Sequence, residues 1–276
     1  MAKPINRKST AERSTPVRNP LFVSSLARGL SILGCFDASH RELGVSEIAK
    51  MTGLPQPTAW RLCHTLREMG FLRGAANDKV RLGIPALGLG FGGLAGLTPA
   101  EIALPYMAEL ADRCGGAVSL GTRLGSDIVY IQRCQGEAII FASFQVGSHV
   151  PILLSSTGWA YLAGLSKKER ATLLAELKRS DAQSWAKVKD DLEVALRDYE
   201  TRGFILSIGH MHPQLNAVSV PVRSRDGHQV LGLTCGGIAS VFGRDRLEKI
   251  GRELIELASY LGLALPDGEP APATSM

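Results

Sequence analysis

The chain has 276 residues, 45% of them hydrophobic, which is enough to build two cores. No apolar run approaches the length of a membrane span and the N-terminus lacks a hydrophobic signal region, so no membrane partner is expected and the chain reads as cytoplasmic. The five cysteines are scattered with no C-x-x-C, which argues against a disulfide framework or a zinc module, and no metal or cofactor is expected.

The formal net charge of +5 is unevenly spread: residues 1–90 hold thirteen Lys/Arg against six Asp/Glu, the remainder eighteen against twenty. A basic front and a nearly neutral back fit a polyanion-binding module joined to one with a different ligand. Residues 1–20, with Lys3, Arg7, Lys8, Arg13 and Arg18 among Ser, Thr and Pro, read as a disordered basic arm. Residues 22–38 are amphipathic, with Leu26, Leu30, Leu33 and, at its edge, Ile32 on one side, and are expected to form a helix that packs behind residues 45–72.

Residues 45–72 read as two short helices joined by a tight turn. Gly53 breaks the first, Leu54 plugs the gap, and Pro55 and Pro57 belong in the turn or in a helix's first turn. The second helix puts Ala59, Leu62, Cys63, Leu66 and Met69 on one buried stripe. Its opposite face carries Pro57, Trp60, Arg61 and His64, with Thr58 on the flank. An arginine beside planar and hydrogen-bonding side chains suits a helix lying in a DNA major groove.

A strand, a turn at residues 74–78 and a second strand come next, as the wing of a winged helix-turn-helix would. Arg73, Lys79 and Arg81 there either touch phosphate and the minor groove or are solvated strand charges. Residues 85–98 are glycine-rich, and residues 88–93 match G-x-G-x-x-G. No βαβ context surrounds that match, so the segment reads as an interdomain linker rather than a nucleotide site.

Beyond it, a helix at residues 102–114 precedes strands at 117–123, 127–134 and 138–143. Helices come at 158–165, 167–177 and 184–202, then strands at 204–207, 217–223 and 230–235, and a last helix carrying Leu247, Ile250, Leu254 and Leu261. This order argues an antiparallel α+β domain. Around residues 150–159, the hydroxyls of Ser155, Ser156 and Thr157 lead into a helix whose first-turn N–H groups, near Gly158, would hold a carboxylate. No Lys or Arg is near in sequence, and simple N-capping is the alternative.

The chain resembles the IclR-type (isocitrate lyase regulator) bacterial transcription factors over residues 22–263. The resemblance is carried by Ser25-Leu26-Ala27-Arg28-Gly29-Leu30, the helix pair of residues 45–72, Val146-Gly147-Ser148-His149-Val150-Pro151 and Ser156-Thr157-Gly158-Trp159-Ala160-Tyr161-Leu162-Ala163. Arg202-Gly203-Phe204 and Val218-Ser219-Val220-Pro221-Val222-Arg223 complete it. It implies an α+β protein with a winged helix-turn-helix at residues 21–84, a linker (helical in the family) at 85–98, a GAF-like effector domain at 99–265 and a disordered tail at 266–276. It further implies a homodimer or homotetramer on palindromic double-stranded DNA, sensing a small carboxylate or aromatic acid.

Carried over residue by residue, the family's effector positions fall on Val150, Ser156, Thr157, Ser207, Ala217, Thr234 and Gly236, with Ile139 and Ala142 as weaker candidates. Two departures stand out: Trp159, which either stacks on a ligand or packs as a core indole, and His210-Met211-His212. These histidines are surface groups, effector contacts or half of a metal site.

On the DNA side, Arg61 is expected to make the chief base contact with Gln56, Thr58, Trp60 and His64 assisting; Ser46 and Pro57 also face the DNA, and Arg28, Arg67, Arg73, Lys79 and Arg81 meet phosphates. The competing readings are a constitutive DNA-binding protein whose second domain only oligomerises, and a DNA-tethered enzyme. No nucleophile–base constellation or G-x-S-x-G elbow supports an enzyme.

Overall fold

Two helices form where glycine and proline punctuate the basic front of the chain. After α1 (Ser24–Leu33), α2 (Val45–Thr52) begins at Gly44, whose N–H donates to the Glu47 carboxylate at 2.7 Å, and stops at Gly53. Pro55 is the N-cap of α3 (Gln56–Glu68) and Pro57 lies in its first turn, where neither proline removes a helical hydrogen bond. A hairpin of β1 (Leu72–Gly74) and β2 (Val80–Leu82) comes next, turning through Asn77 and Asp78 in the left-handed region. The structure, a computed structural model, describes residues 21–37, 40–95, 98–136 and 144–265. The expected arm, tail and strand at 138–143, together with Ile139 and Ala142, lie outside these residues.

The chain divides into two units, Met1–Ala86 and Leu87–Met276. In the first, Ile32, Cys35, Leu43, Ile48, Cys63, Leu72 and Val80 form the core, with Leu33, Leu54, Leu62 and Leu66 half-buried against it. Two expectations change here. Leu26 and Leu30 are 62% and 55% exposed, because α1 enters the core through Ile32 near its end rather than along a whole stripe. Met69 is exposed as well, since α3 has ended at Glu68 and Met69 is its C-cap.

In chain order, α4 (Ile84–Ala95), α5 (Thr98–Cys114), β3 (Ala117–Leu124), β4 (Asp127–Gln135), β5 (His149–Pro151) and α6 (Ser156–Gly164) come next. They are followed by α7 (Lys167–Ser180), α8 (Ala182–Arg202), β6 (Ile205–Ile208), β7 (Leu215–Arg223), β8 (Val230–Ile238) and α9 (Arg244–Ala264). The G-x-G-x-x-G match falls inside α4, not in a strand-to-helix turn.

The strands of the second unit make one six-stranded antiparallel sheet, ordered β5-β4-β3-β8-β7-β6. Alternation along the strands sends Val118, Leu120, Val218, Val220, Leu233 and Cys235 into a core shared with α5 and α9. On the other face α6 lies against β7 and β8, and Trp159, Leu162, Leu192 and Ile205 form a second core reaching α8.

Register between β3 and β4 shifts at Leu120/Gly121, where Leu120 pairs with Gln132 but Gly121 with Tyr130. Ile131 is the extra residue of this bulge. A Cβ at Gly121 would lie 2.4 Å from Ile128 Cγ2, so the bulge closes only around a glycine.

At the start of α6, a Cβ on Gly158 would meet the Ile152 carbonyl oxygen at 2.3 Å. Gly158→Ala is therefore expected to lower the unfolding free energy by about 1–3 kcal/mol through overpacking. Urea titration would measure this, and an unchanged midpoint would show that the contact yields freely.

Candidate functional site

The outward face of α3 is built on the residues that hold it down: with Ala59 and Cys63 buried, Gln56, Pro57, Trp60, Arg61, His64 and Arg67 are exposed and Thr58 is half-buried. The Trp60 and His64 rings, one turn apart, stack with centroids 5.6 Å apart and planes within 3°. Gln56 Nε2 donates to the Ser46 hydroxyl at 3.0 Å, so the first residues of α2 and α3 are tied together. Arg61 makes no ion pair among the described residues, which leaves its guanidinium available to a base edge. Ser46, Trp60, His64, Arg67 and Lys79 line one open groove between the helix pair and the hairpin turn.

Arg28 is exposed on α1 and Arg73 on β1. Lys79 lies 3.8 Å from Glu47 and Arg81 3.9 Å from Glu42. Such exposed pairs contribute about 0–1 kcal/mol, so phosphate can displace the carboxylates.

In the second unit, the sheet face toward α6 forms a half-open cavity lined by Ala117, Ser119, Tyr130, Arg133, Phe144, Ser156, Ser207, Met211, Ala217, Thr234 and Gly236, with Leu215, Asn216 and Gly237 also on its wall. It leaves about 80 Å³ open to water. One water needs roughly 10–15 Å³ by that measure, so a small organic molecule fits. The wall is held by hydroxyls: Thr157 and Thr234 share a hydrogen bond at 2.8 Å, and Ser219 donates to the Ser156 carbonyl at 2.8 Å. Burial pushes the Tyr130 phenol up and the Arg133 guanidinium down from their usual pKa ranges.

Of the positions expected to touch a ligand, Ser156, Ser207, Ala217, Thr234 and Gly236 line this cavity, and Thr157 stands directly behind Thr234. Four others do not. Val150 is buried in the α8-side core. The Ser155 hydroxyl accepts the Gly158 N–H at 3.1 Å as an N-cap, and Gly158 is packed on Ile152. Trp159 is 1% exposed, with its indole N–H donating to the Leu153 carbonyl at 2.7 Å, so it is a core indole.

His210 lies off the cavity wall, its ring centroid 4.9 Å from that of Trp159 and its Nδ1 3.5 Å from Asp191. Met211, the neighbour of both histidines, is the residue of that trio that lines the cavity. The His212 ring accepts the Gln214 N–H at 3.2 Å. No cluster of three metal-ligating side chains occurs among the described residues.

Sequence reasoning missed Ser119, Tyr130, Arg133 and Phe144, and the cavity wall holds an arginine where the sequence around residues 150–159 offers none. Ser119 was within reach, because it alternates with the core residues Val118 and Leu120. Arg133 was not: simple alternation puts it opposite Tyr130, and only the bulge brings the two to one face.

A winged helix-turn-helix followed by an antiparallel sheet with a ligand-sized cavity defines a DNA-binding protein with a sensory domain. Comparison with known proteins agrees. The family model described as the IclR helix-turn-helix domain matches residues 25–75, and that of the bacterial transcriptional regulator IclR C-terminal matches residues 94–262. The TsaQ1/TsaQ2 transcriptional regulator of Comamonas testosteroni is 31% identical over 202 residues, 72% of each chain. An IclR family regulator from Brucella abortus superposes with a TM-score of 0.80 at 39% identity, covering 90% of this chain and 95% of that one. An IclR homolog from Microbacterium hydrocarbonoxydans, complexed with 4-hydroxybenzoate, shares the fold at 21% identity and a TM-score of 0.69, covering 87% of this chain and 100% of that one.

The chain belongs to the IclR family of bacterial transcriptional regulators, proteins with a helix-turn-helix and an effector-binding C-terminal domain rather than enzymes. Among the described residues, no helix is long and apolar enough to cross a membrane.

With Trp159 as a core residue, Trp159→Phe is expected to cost about 1–3 kcal/mol, since it strips the buried Leu153 carbonyl of its donor. Equilibrium unfolding in urea checks this, and a stability within about 0.5 kcal/mol of the parent would contradict the assignment.

Proposed function

We propose that this protein binds a palindromic operator through the outer face of α3 as a homodimer or homotetramer. A small carboxylate or aromatic acid in the cavity of the second unit then changes its affinity for that operator. The observation that carries this reading is the cavity itself, whose mainly apolar wall carries a few hydroxyls and one arginine and which is set within the domain that matches the family's effector module. The 4-hydroxybenzoate complex of the Microbacterium neighbour is consistent with an acid of that size.

Oligomerisation has a surface available on α1, where Leu26 and Leu30 are exposed side by side one turn apart. Two copies would present two α3 helices to half-sites one DNA turn or a multiple apart. A ligand would shift the balance between dimer arrangements only by its differential affinity for them. In this reading residues 21–84 bind DNA, 85–98 link and 99–265 sense, and the protein works in the cytoplasm beside the chromosome.

Arg61 is the chief base-reading residue of this proposal, assisted by Gln56, Thr58, Trp60 and His64. Arg28, Arg67, Arg73, Lys79 and Arg81 set the register on phosphates. Arg61→Ala is expected to weaken operator binding by roughly 1–3 kcal/mol while leaving ligand binding unchanged. Gel shift at fixed salt is the measurement, and equal affinity of the two proteins for the operator would sink the assignment.

A further inference from the structure

A half-buried cation without a counter-charge still carries a desolvation cost, and this cavity contains one. The Arg133 guanidinium sits in the wall, with Nη1 donating to the Ser119 hydroxyl at 2.6 Å. Its Nε is buried and has no hydrogen-bond partner among the described residues. No described carboxylate lies within ion-pair distance of it, and none of the described lining residues is acidic. The guanidinium carbon instead lies 5.9 Å from the Tyr130 ring centroid and 6.0 Å from that of Phe144. Arginine stays protonated in such surroundings, so the site is an oriented positive charge with unused donors.

We infer that Arg133 is the charge anchor of the cavity and selects a small organic monoanion. One carboxylate would take the free edge of the guanidinium, and the neutral body of the acid would lie against Tyr130 and Phe144. The inference rests on the cavity being the effector site.

The geometry sets the class more tightly than "acid". A planar carboxylate matches the fork of donors that arginine presents, which Ser119 occupies only in part. With Arg133 the single charged group on the described wall, a second carboxylate would be buried without a cation. The open volume of about 80 Å³ suits a short aliphatic acid, and a single-ring acid would need the wall to yield, since a cavity that holds benzene is about 150 Å³.

The test uses the full chain, calorimetry and thermal unfolding, and three matched sets of probes. Acetate, benzoate and 4-hydroxybenzoate are the monoacids; acetamide, benzamide and 4-hydroxybenzamide are their neutral partners; succinate and terephthalate are the diacids. The parent is expected to bind at least one monoacid, and the corresponding amide and the diacids on the order of 10–100-fold more weakly, as loss of a hydrogen-bonded charge pair predicts. Arg133→Met should lose binding of that monoacid by a similar factor, Arg133→Lys should keep part of it, and ligand-free Arg133→Met should melt no lower than the parent. Should Arg133→Met fail to fold, the acid-against-amide comparison in the parent and the Arg133→Lys variant decide the matter.

Equal binding of acid and amide by the parent would overturn the anchor, as would equal binding of the acid by Arg133→Met or no binding by any of the monoacids. The regulator reading fails separately, by the absence of specific operator binding. A neutral ligand that binds parent and Arg133→Met alike and still alters operator affinity would overturn the anchor and leave the regulator standing.

Discussion

Alternation across the central strands β3, β8 and β7 is the constraint on which the sensory half depends. It puts Val118, Leu233 and Val218 toward α5 and α9, and Ser119, Thr234 and Ala217 toward α6. The first set builds a dry core. The second set is small or hydroxylated, so α6 can come close at Thr157 and yet leave a void beside it. Larger residues on that face would fill the cavity, and apolar ones would strip it of hydrogen-bonding groups.

The close seating of α6 determines the division of labour within the segment from Ser155 to Trp159. Ser155 caps the helix, Gly158 packs against Ile152, and Trp159 turns into the α8-side core. Only Ser156 reaches the cavity wall, with Thr157 behind it. A stretch that looks uniformly like an anion site thus serves mostly to fix the helix. The charge that such a site needs comes from β4, one strand away from β8 across β3.

The DNA-binding half obeys a simpler rule, because it is held by local chemistry. The glycine and prolines of residues 53–57 and the apolar spacing of α3 act within a few residues of one another. Its reading face is what remains once Ala59 and Cys63 are buried. The hairpin is legible for the same reason, since Asn77 and Asp78 tolerate the left-handed turn it requires. The misread element is α1, whose Leu26 and Leu30 look like a core stripe and are exposed. Periodicity reports that an apolar face exists, not what covers it.

In the second unit, most strands and helices are readable from pattern and turn residues. Five of the cavity residues follow from a resemblance of sequence, and Ser119 from alternation with its neighbours. Arg133 and Tyr130 do not, because the bulge at Leu120/Gly121 resets the alternation between them. Nor does the burial of Trp159, which depends on contacts with residues distant in the chain. Short-range patterning is enough to establish a DNA-binding helix pair, an antiparallel sheet and the family. Which side chains face the ligand depends on strand register and on which face α6 covers, and these are fixed only when distant segments pair.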